Sequence, residues 1–127
     1  MTAIANRFTN QVVIVTGAAK GIGRAIAMRF GAEGAHVVVA DIDSVGATAV
    51  ATTITDNGGS ALAVPTDIAD EAQVDALFDQ AVARFGTVDV LVNNAGLVSP
   101  MKHFLAVDTA WWDRIIGVNL TGTFLCC

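Results

Sequence analysis

The sequence Thr16-Gly17-Ala18-Ala19-Lys20-Gly21-Ile22-Gly23 joins a Val-rich run to a helix-forming stretch, with three glycines in the spacing G-x-x-x-G-x-G. Glycine adopts positive φ and lets another group approach the backbone closely. The loop leads into the N-terminus of a helix, where unpaired N–H groups and the helix dipole favour an anion. The octapeptide therefore predicts a pyrophosphate site, although its spacing differs from the G-x-G-x-x-G of the standard dinucleotide fingerprint. A glycine-rich turn that binds no ligand is the alternative.

Four short apolar segments predict buried strands, at residues 12–16, 36–40, 61–64 and 88–92. They are rich in Val and almost continuously apolar, as are the strands of a parallel sheet that is covered on both faces. The intervening segments predict helices at 22–33, from Ser44 as N-cap to about 56, from Asp70 as N-cap to a stop at Gly86, and from near Asp108 to the end. Strand and helix thus alternate four times.

This alternation predicts an α/β fold, a Rossmann-like doubly wound parallel sheet with helices on both faces. Because such a fold uses about six strands, we expect residues 1–127 to be the N-terminal part of a single dinucleotide-binding domain, truncated after about four strands. The C-terminal catalytic half would then be absent. The ending Phe124-Leu125-Cys126-Cys127 is typical of the middle of a helix. The fourth strand would lie at an open sheet edge, so we expect the chain to fold poorly and to aggregate.

The composition argues against several classes of protein. Hydrophobic residues make up 54% of the chain and charged residues 15%, which is too apolar for a disordered protein. The apolar runs are shorter than the roughly 18 residues of a membrane span, and the polar start lacks a signal core, so we expect a cytoplasmic protein. A net charge of −5 with scattered basic residues argues against nucleic acid as a partner. The adjacent Cys126 and Cys127 are expected to be reduced thiols, and we expect no metal site.

Asp41 ends the second predicted strand, 18 residues after Gly23. This is close to the spacing of the acidic residue that holds a ribose in dinucleotide-binding folds. A carboxylate there accepts hydrogen bonds from the 2′- and 3′-hydroxyls and repels a 2′-phosphate, and the following Ile42 is not basic, so the charges favour NAD over NADP. Lys20 favours the opposite choice, because an ammonium in the loop could reach a 2′-phosphate. The alternative for Asp41 is a carboxylate that caps a helix.

Together with two later motifs, these residues resemble the short-chain dehydrogenase/reductase family, from about residue 10 to residue 127. The octapeptide from Thr16 to Gly23 matches the family's T-G-x-x-x-G-x-G. The tetrapeptide Asn93-Asn94-Ala95-Gly96 follows the fourth predicted strand and matches its N-N-A-G. Asn119 matches the family's helix asparagine. Three motifs that occur in order, on the predicted elements, make the resemblance specific.

The resemblance implies a role for each matching position. Gly17, Gly21, Ile22 and Gly23 would line the pyrophosphate and nicotinamide side of the cofactor, next to Lys20. Asp67 and Ile68 would flank adenine, with the Asp67 carboxylate accepting from its amino group, unless Asp67 instead caps the following helix. The backbone of Asn94, Ala95 and Gly96 would pass the adenosine ribose, whereas the side chain of Asn93 would tie strands together. Asn119, the catalytic candidate, would hold a water in a proton relay and bend its helix locally.

The activity that the resemblance implies is hydride transfer between nicotinamide and an alcohol or ketone, with a tyrosine as general acid/base aided by a lysine and a serine. This chain contains no tyrosine. We therefore expect it to be inactive alone, and its full-length parent to be an NAD-dependent oxidoreductase and a homo-oligomer. A catalytically silent nucleotide-binding module is one alternative. A Rossmann-like methyltransferase is another, against which the N-N-A-G motif and Asn119 both count.

Three further positions carry smaller expectations. Of Trp111 and Trp112, on the helix that leads to Asn119, one is expected to pack on the domain and one to face outward. His103 is expected to be an exposed loop residue. Ser99 lies too early in the chain to be the family's catalytic serine.

Overall fold

The computed structural model of the protein describes residues 2–98 and 102–127. Strands and helices alternate through most of the chain, and a short 3-10 turn at Phe104–Ala106 precedes the last helical region. The strands are β1 (Val12–Thr16), β2 (His36–Asp41), β3 (Ser60–Pro65) and β4 (Val90–Val92). The helices are α1 (Gly21–Ala32), α2 (Ser44–Asp56), α3 (Glu71–Phe85), α4 (Thr109–Ile116) and α5 (Thr123–Cys126), with a π-helical segment at Gly117–Gly122.

All four strands are parallel and lie in the order β3-β2-β1-β4. The predicted α/β fold is therefore confirmed, and β4 occupies an edge of the sheet as expected. The strand order reverses at β1, because β2 and β3 lie to one side of it and β4 lies to the other. In open α/β sheets a ligand binds beyond the carboxyl ends of the strands at such a reversal. The fold thus creates a crevice between the ends of β1 and β4.

Alternate residues of the strands supply two separate cores. On one face, Val13 and Val37 pack with Ala27 of α1 and Ile54 of α2. On the other face, residues of the opposite phase, such as Ile14, pack against α3. Each fully buried Val contributes roughly 1.5–3 kcal/mol through removal of apolar surface from water. Burial on both faces explains why the strand sequences are continuously apolar.

The helix starts follow local capping chemistry. Asp70 caps α3 by accepting from the backbone N–H groups of Ala72 and Gln73, as predicted. The expected N-cap of α2 was wrong by one residue. Asp43 is the cap and accepts from Gly46 N at 3.0 Å, so Ser44 is the first helical residue. The carboxylate of Asp43 spans the three residues to Gly46 N, which is the ordinary geometry of an N-cap.

The fourth strand is shorter than predicted, beginning at Val90 rather than at residue 88. The side chain of Asp89 explains the difference. Its Oδ2 accepts from Val12 N at 2.8 Å, and its own backbone N–H donates to Val12 O at 2.9 Å. Regular pairing of the two strands starts only one residue later, at Val13 and Val90.

The end of α1 anchors the N-terminal segment through a buried carboxylate. Glu33 is fully buried, and its oxygens accept hydrogen bonds from Arg7, Arg29 and Ile4 N. Burial acts to raise the pKa of Glu33, but the hydrogen bonds from Arg29, Ile4 N and Arg7 outweigh it, so the pKa lies below its ordinary value. The ionised form of Glu33 therefore stabilises the docked segment.

The last helical region departs from a single continuous helix. It begins with Asp108, which caps α4 by accepting from Trp111 N at 2.8 Å, close to the predicted start. The π-helical segment then interrupts α geometry before α5. Within α5, Cys126 is buried, and this burial, with the neighbouring Cys127, raises the pKa of its thiol. No helix within residues 2–98 and 102–127 is long and apolar enough to cross a membrane.

Candidate nucleotide site

A cleft of about 520 Å³ opens at the carboxyl ends of the strands. It contains every residue that the sequence predicted to hold a cofactor, together with Arg114 and Val118 from the last helical region. The lining residues are Gly17, Ala19, Lys20, Gly21, Ile22, Gly23, Asp41, Ile42, Asp43, Thr66, Asp67, Ile68, Asn94, Ala95, Gly96, Leu97, Arg114 and Val118. The fold thus brings together segments that are spread over about 100 residues of sequence.

The N-terminus of α1 differs from those of α2, α3 and α4. Each of the latter begins with an aspartate whose side chain accepts from the first turn. The N-cap of α1 is Lys20, and no side chain among the described residues caps it. The first intrahelical bond there runs from Arg24 N to Lys20 O. The amides that precede Arg24 are therefore available to an anion in the cleft, and the helix dipole favours one.

Two glycines of the loop have left-handed backbone conformations, with φ of +63° at Gly17 and +57° at Gly21. A Cβ at Gly17 would lie 2.7 Å from Ala95 Cα, whereas one at Gly21 would meet nothing within 4 Å. A Cβ at Gly23 would collide with Gly17 O and Asn94 Nδ2. The loop is therefore pressed against the end of β4 at Gly17 and Gly23 and stays open at Gly21.

Asn94 and Thr16 join the loop to the end of β4. Asn94 Nδ2 donates to Thr16 O at 3.0 Å and to Gly17 O at 3.1 Å. In return, Thr16 Oγ1 accepts from Asn94 N and Ala95 N and donates to Val92 O. The expectation that Asn93 ties the strands was therefore wrong, because Asn93 donates instead to Cys127 Sγ. With their N–H groups occupied, Asn94 and Ala95 can present carbonyl oxygens to a ribose.

Asp41 is held rigidly at the end of β2. Its Oδ2 accepts from Ala19 N at 2.9 Å, and its Oδ1 accepts from Asp43 N at 2.9 Å. The carboxylate does not cap α2, since Asp43 does that, so this alternative for Asp41 was wrong. Each carboxylate oxygen can accept more than one hydrogen bond. Asp41 therefore retains acceptor capacity for the hydroxyls of a sugar in the cleft.

Asp67 lies beyond the end of β3 and pairs with a residue that the sequence did not indicate. Its Oδ2 lies 3.1 Å from Arg114 Nη1, and its Oδ1 accepts from Ala69 N at 3.1 Å. The alternative that Asp67 caps the following helix was wrong, because Asp70 does so. Ile68, the next residue, is buried and packs with Val118. No local sequence signal reveals Arg114, because its partner lies 47 positions away.

Asn119 lies within the π-helical segment, where the resemblance implied a local distortion of the helix. Its Oδ1 accepts from Leu97 N at 2.7 Å, and its Nδ2 donates to Leu97 O at 3.0 Å. The side-chain amide of Asn119 thus both donates to and accepts from the backbone of a single loop residue, Leu97. It fixes the loop after β4 next to Gly96, at the edge of the cleft.

The remaining candidates lie near the rim of the site. His103 is exposed, and its Nδ1 accepts from Leu105 N at 3.4 Å, as expected for a loop residue. Trp111 is half-buried with Lys102 over its ring, and Trp112 is exposed, which confirms that the pair divides between the domain and the outside. Ser99 lies outside the described residues.

Comparison with known proteins gives one consistent result. Residues 11–127 match the family model for short chain dehydrogenases. The chain is 47% identical over 119 residues to cis-4-hydroxycyclohexanecarboxylate dehydrogenase of Sinomonas cyclohexanicum, a match that covers 94% of this chain and 47% of that protein. It is also 47% identical over 120 residues to glucose 1-dehydrogenase 2 of Bacillus subtilis, covering 92% of this chain and 46% of the relative.

Solved structures agree with this match. The crystal structure of 3-ketoacyl-(acyl-carrier-protein) reductase from Brucella melitensis, complexed with NADH, superposes with a TM-score of 0.88 at 44% identity. The superposition covers 94% of this chain and 48% of the reductase chain. Hydroxysteroid dehydrogenase from Escherichia coli gives a TM-score of 0.89 at 40% identity, covering 94% and 50% of the two chains. The chain thus spans about half the length of the relatives it matches.

Proposed function

Because the chain belongs to the short-chain dehydrogenase family, we propose that it forms the dinucleotide-binding half of an NAD(H)-dependent oxidoreductase that acts on an alcohol or ketone. One observation carries this proposal. The uncapped N-terminus of α1 and the fixed carboxylate of Asp41 line the same cleft. A nucleotide diphosphate requires backbone amides that donate to its phosphates, beside a carboxylate that accepts from the hydroxyls of its ribose.

The residues of the cleft fit the adenosine and pyrophosphate parts of a dinucleotide. The amides of Gly21, Ile22 and Gly23 would hold the pyrophosphate, with Gly17 giving close approach and Lys20 beside them. The carboxylate of Asp41 would accept from the ribose hydroxyls. The adenine would lie between Asp67 and Ile68, and the carbonyls of Asn94 and Ala95, with Gly96, would pass the adenosine ribose.

The charges around the ribose position favour NAD over NADP. Asp41 is held in place by two backbone N–H groups, so it cannot turn away from a 2′-phosphate without losing them. Asp43 lies two residues further on and adds a second negative charge. Lys20 is exposed and is the nearby cation that counts toward NADP. Two fixed carboxylates outweigh one exposed ammonium in the balance of charge at the ribose position.

The nicotinamide, when bound, supplies the hydride chemistry, and the protein must orient it and move a proton. Asn119 pairs with Leu97 and so positions the loop at the nicotinamide end of the cleft. We assign its contribution to a proton relay, through a water held at its segment. The chain contains no tyrosine to donate the proton, so these 127 residues alone are proposed to bind the cofactor without turning it over. A complete homo-oligomeric parent would supply that group.

Family membership removes the basis for the methyltransferase alternative. The catalytically silent nucleotide-binding module remains the second candidate, and the lack of tyrosine in the chain is what favours it. The two are separated by the DNA that follows the codon of Cys127. An open frame that encodes a Tyr-x-x-x-Lys motif supports the oxidoreductase, and a stop codon supports the silent module.

The cofactor assignment is tested by fluorescence titration of NADH and NADPH into the purified chain and its Asp41→Asn variant. We expect saturable binding of both, with NADH bound more tightly by the wild type and the preference reduced in the variant. Equal affinities in the wild type would contradict the proposed preference for NAD. An absorbance assay at the nicotinamide band, with a panel of ketones, should show no oxidation of NADH by the 127-residue chain.

A further inference from the structure

We infer that Arg114 is a positioning residue for adenine recognition, because it holds the carboxylate of Asp67 in the orientation that accepts from the amino group of the base. The inference rests on the proposed function, since it needs a dinucleotide in the cleft. It adds a residue that the sequence motifs do not contain, and it makes the selectivity for the base a property of two elements rather than of one loop.

The geometry places Arg114 and Asp67 in the wall of the cleft. Asp67 follows β3, and Arg114 lies on α4, so the ion pair joins the sheet to the last helical region. Arg114 Nη1 lies 3.1 Å from Asp67 Oδ2 and 3.5 Å from Oδ1. The ion pairs of Arg7 and Arg29 with Glu33 lie elsewhere, at the C-terminal end of α1. The pair at Asp67 is the one that lines the cleft.

The two oxygens of Asp67 are fixed from opposite sides. Ala69 N, on the same turn, donates to Oδ1, and Arg114, from the facing helix, donates chiefly to Oδ2. The terminal torsion of an aspartate is broad and soft, so one local hydrogen bond would leave the carboxylate plane free to rotate. The second contact, from Arg114, restricts that rotation. Each oxygen keeps a further lone pair for a donor in the cleft.

A carboxylate fixed in this way distinguishes bases by whether the group that it faces donates or accepts a hydrogen bond. The 6-amino group of adenine donates a hydrogen bond to it. Hypoxanthine has a carbonyl oxygen at the same place, which would face the carboxylate as a second acceptor, so the lone pair that the amino group of adenine would fill loses that donor. Sites built to hydrogen-bond one group reject an analogue that lacks it because their own polar groups then lose a partner.

Arg114 also reduces the repulsion that the acidic cleft exerts on an anionic ligand. The described lining of the cleft contains three acidic side chains, those of Asp41, Asp43 and Asp67. It contains two basic side chains, those of Lys20 and Arg114. Loss of Arg114 should therefore weaken binding of every dinucleotide to some extent. Its specific effect on adenine is separated from this general effect by comparing two dinucleotides of equal charge.

The test is calorimetric titration of the 127-residue chain with NADH and with reduced nicotinamide hypoxanthine dinucleotide, which has the same net charge but carries a carbonyl oxygen in place of the 6-amino group and a proton on N1 of the base. The wild type should prefer NADH by about tenfold or more, the size expected of one charge-assisted hydrogen bond. In Arg114→Ala the preference should fall to about threefold or less, and Arg114→Lys should restore part of it. Arg84→Ala, which removes an exposed arginine stacked on Phe85 at the C-terminal end of α3, is the matched control and should leave the preference unchanged.

A double-variant cycle completes the test. Asp67→Asn should abolish most of the preference, and the addition of Arg114→Ala should reduce it no further, because coupled residues are not additive. If Arg114→Ala weakens both ligands equally and keeps the preference, Arg114 acts through charge or packing and the inference is overturned. A wild type that binds both dinucleotides equally overturns it as well. A wild type that binds neither overturns the proposed function itself, and the inference with it. The ion pair is partly exposed and contributes little to stability, so Arg114→Ala is expected to fold. If it does not, Arg114→Gln provides a second variant.

Discussion

Replacing Gly17 and Gly21 separately by alanine tests the close contact that shapes the cleft. Both residues have left-handed backbone conformations, with φ of +63° and +57°. An alanine in that region costs roughly 1–2 kcal/mol relative to glycine. The effect of alanine on the unfolded chain is the same at both positions, so it cancels when the two variants are compared.

The two positions differ in what a new methyl group would meet. At Gly17 it would lie 2.7 Å from Ala95 Cα and 3.1 Å from Ala95 N, which are backbone atoms that cannot turn aside. At Gly21 it would meet nothing within 4 Å. Overpacking of this kind costs about 1–3 kcal/mol. Gly17→Ala should therefore destabilise the chain by about 2–5 kcal/mol and Gly21→Ala by about 1–2 kcal/mol.

The assay is urea unfolding followed by circular dichroism, with the free energy of unfolding extrapolated to water for both variants and the wild type. An equal slope against urea in all three is the control that native and unfolded states remain comparable. Equal destabilisation by the two substitutions, or a larger effect at Gly21, would mean that the loop does not press against the end of β4, and the description of the cleft would be wrong.

Four further predictions address other parts of the account. Glu33 has a lowered pKa in the native state, so its stabilising effect is present at neutral pH and is lost as the pH falls below its ordinary value of 4.5 toward the native pKa. Thermal unfolding from pH 7 to pH 3 should show that Glu33→Gln is less stable than the wild type at pH 7 and that this difference in stability narrows in acid. A difference that stays constant would count against Glu33 as the anchor of the N-terminal segment. Removing the charge at Asp41 should improve the affinity for NADPH relative to NADH by about fivefold, the equivalent of roughly 1 kcal/mol for one charge contact in water, as fluorescence titration of Asp41→Asn would show. Asn94→Ala removes two hydrogen bonds to the loop, each contributing about 0.5–1.5 kcal/mol, so the free energy of unfolding should fall by about 1–3 kcal/mol, whereas Asn93→Ala should change it much less. Because the edge strand Val90–Val92 is half-buried, light scattering should reveal association that increases with concentration, and a monomer at every concentration would refute this.

Some elements were predictable because their signals are local. Strand β1 was assigned to the residue, since a strand buried on both faces is apolar throughout its length. The ends of α3 followed from Asp70, whose carboxylate reaches two amides, and from Gly86, which adopts φ of +88°. The loop glycines and Asp41 were recognisable from their spacing in the sequence, and the structure brings them together in one cleft.

Other features depend on geometry that a sequence does not record. Whether Asn93 or Asn94 faces β1 depends on the phase in which β4 ends, and a shift of one residue reverses the direction of a side chain. Asp43 and Ser44 are both good N-caps, and only the path of the backbone decides between them. The pairing of Arg114 with Asp67 requires α4 to cross the end of the sheet, which no pattern within either segment indicates.

The central claim is that the amides at the start of α1 hold a diphosphate. It is tested most directly by the two-dimensional nitrogen–proton NMR spectrum of the folded chain during a titration with NADH. We expect the resonances of Gly21, Ile22 and Gly23 to shift in a saturable manner, while that of Gly86, at the C-terminal end of α3, stays in place. Saturable binding that leaves those three amides unmoved, or no binding of NADH to well-folded protein, would contradict the account.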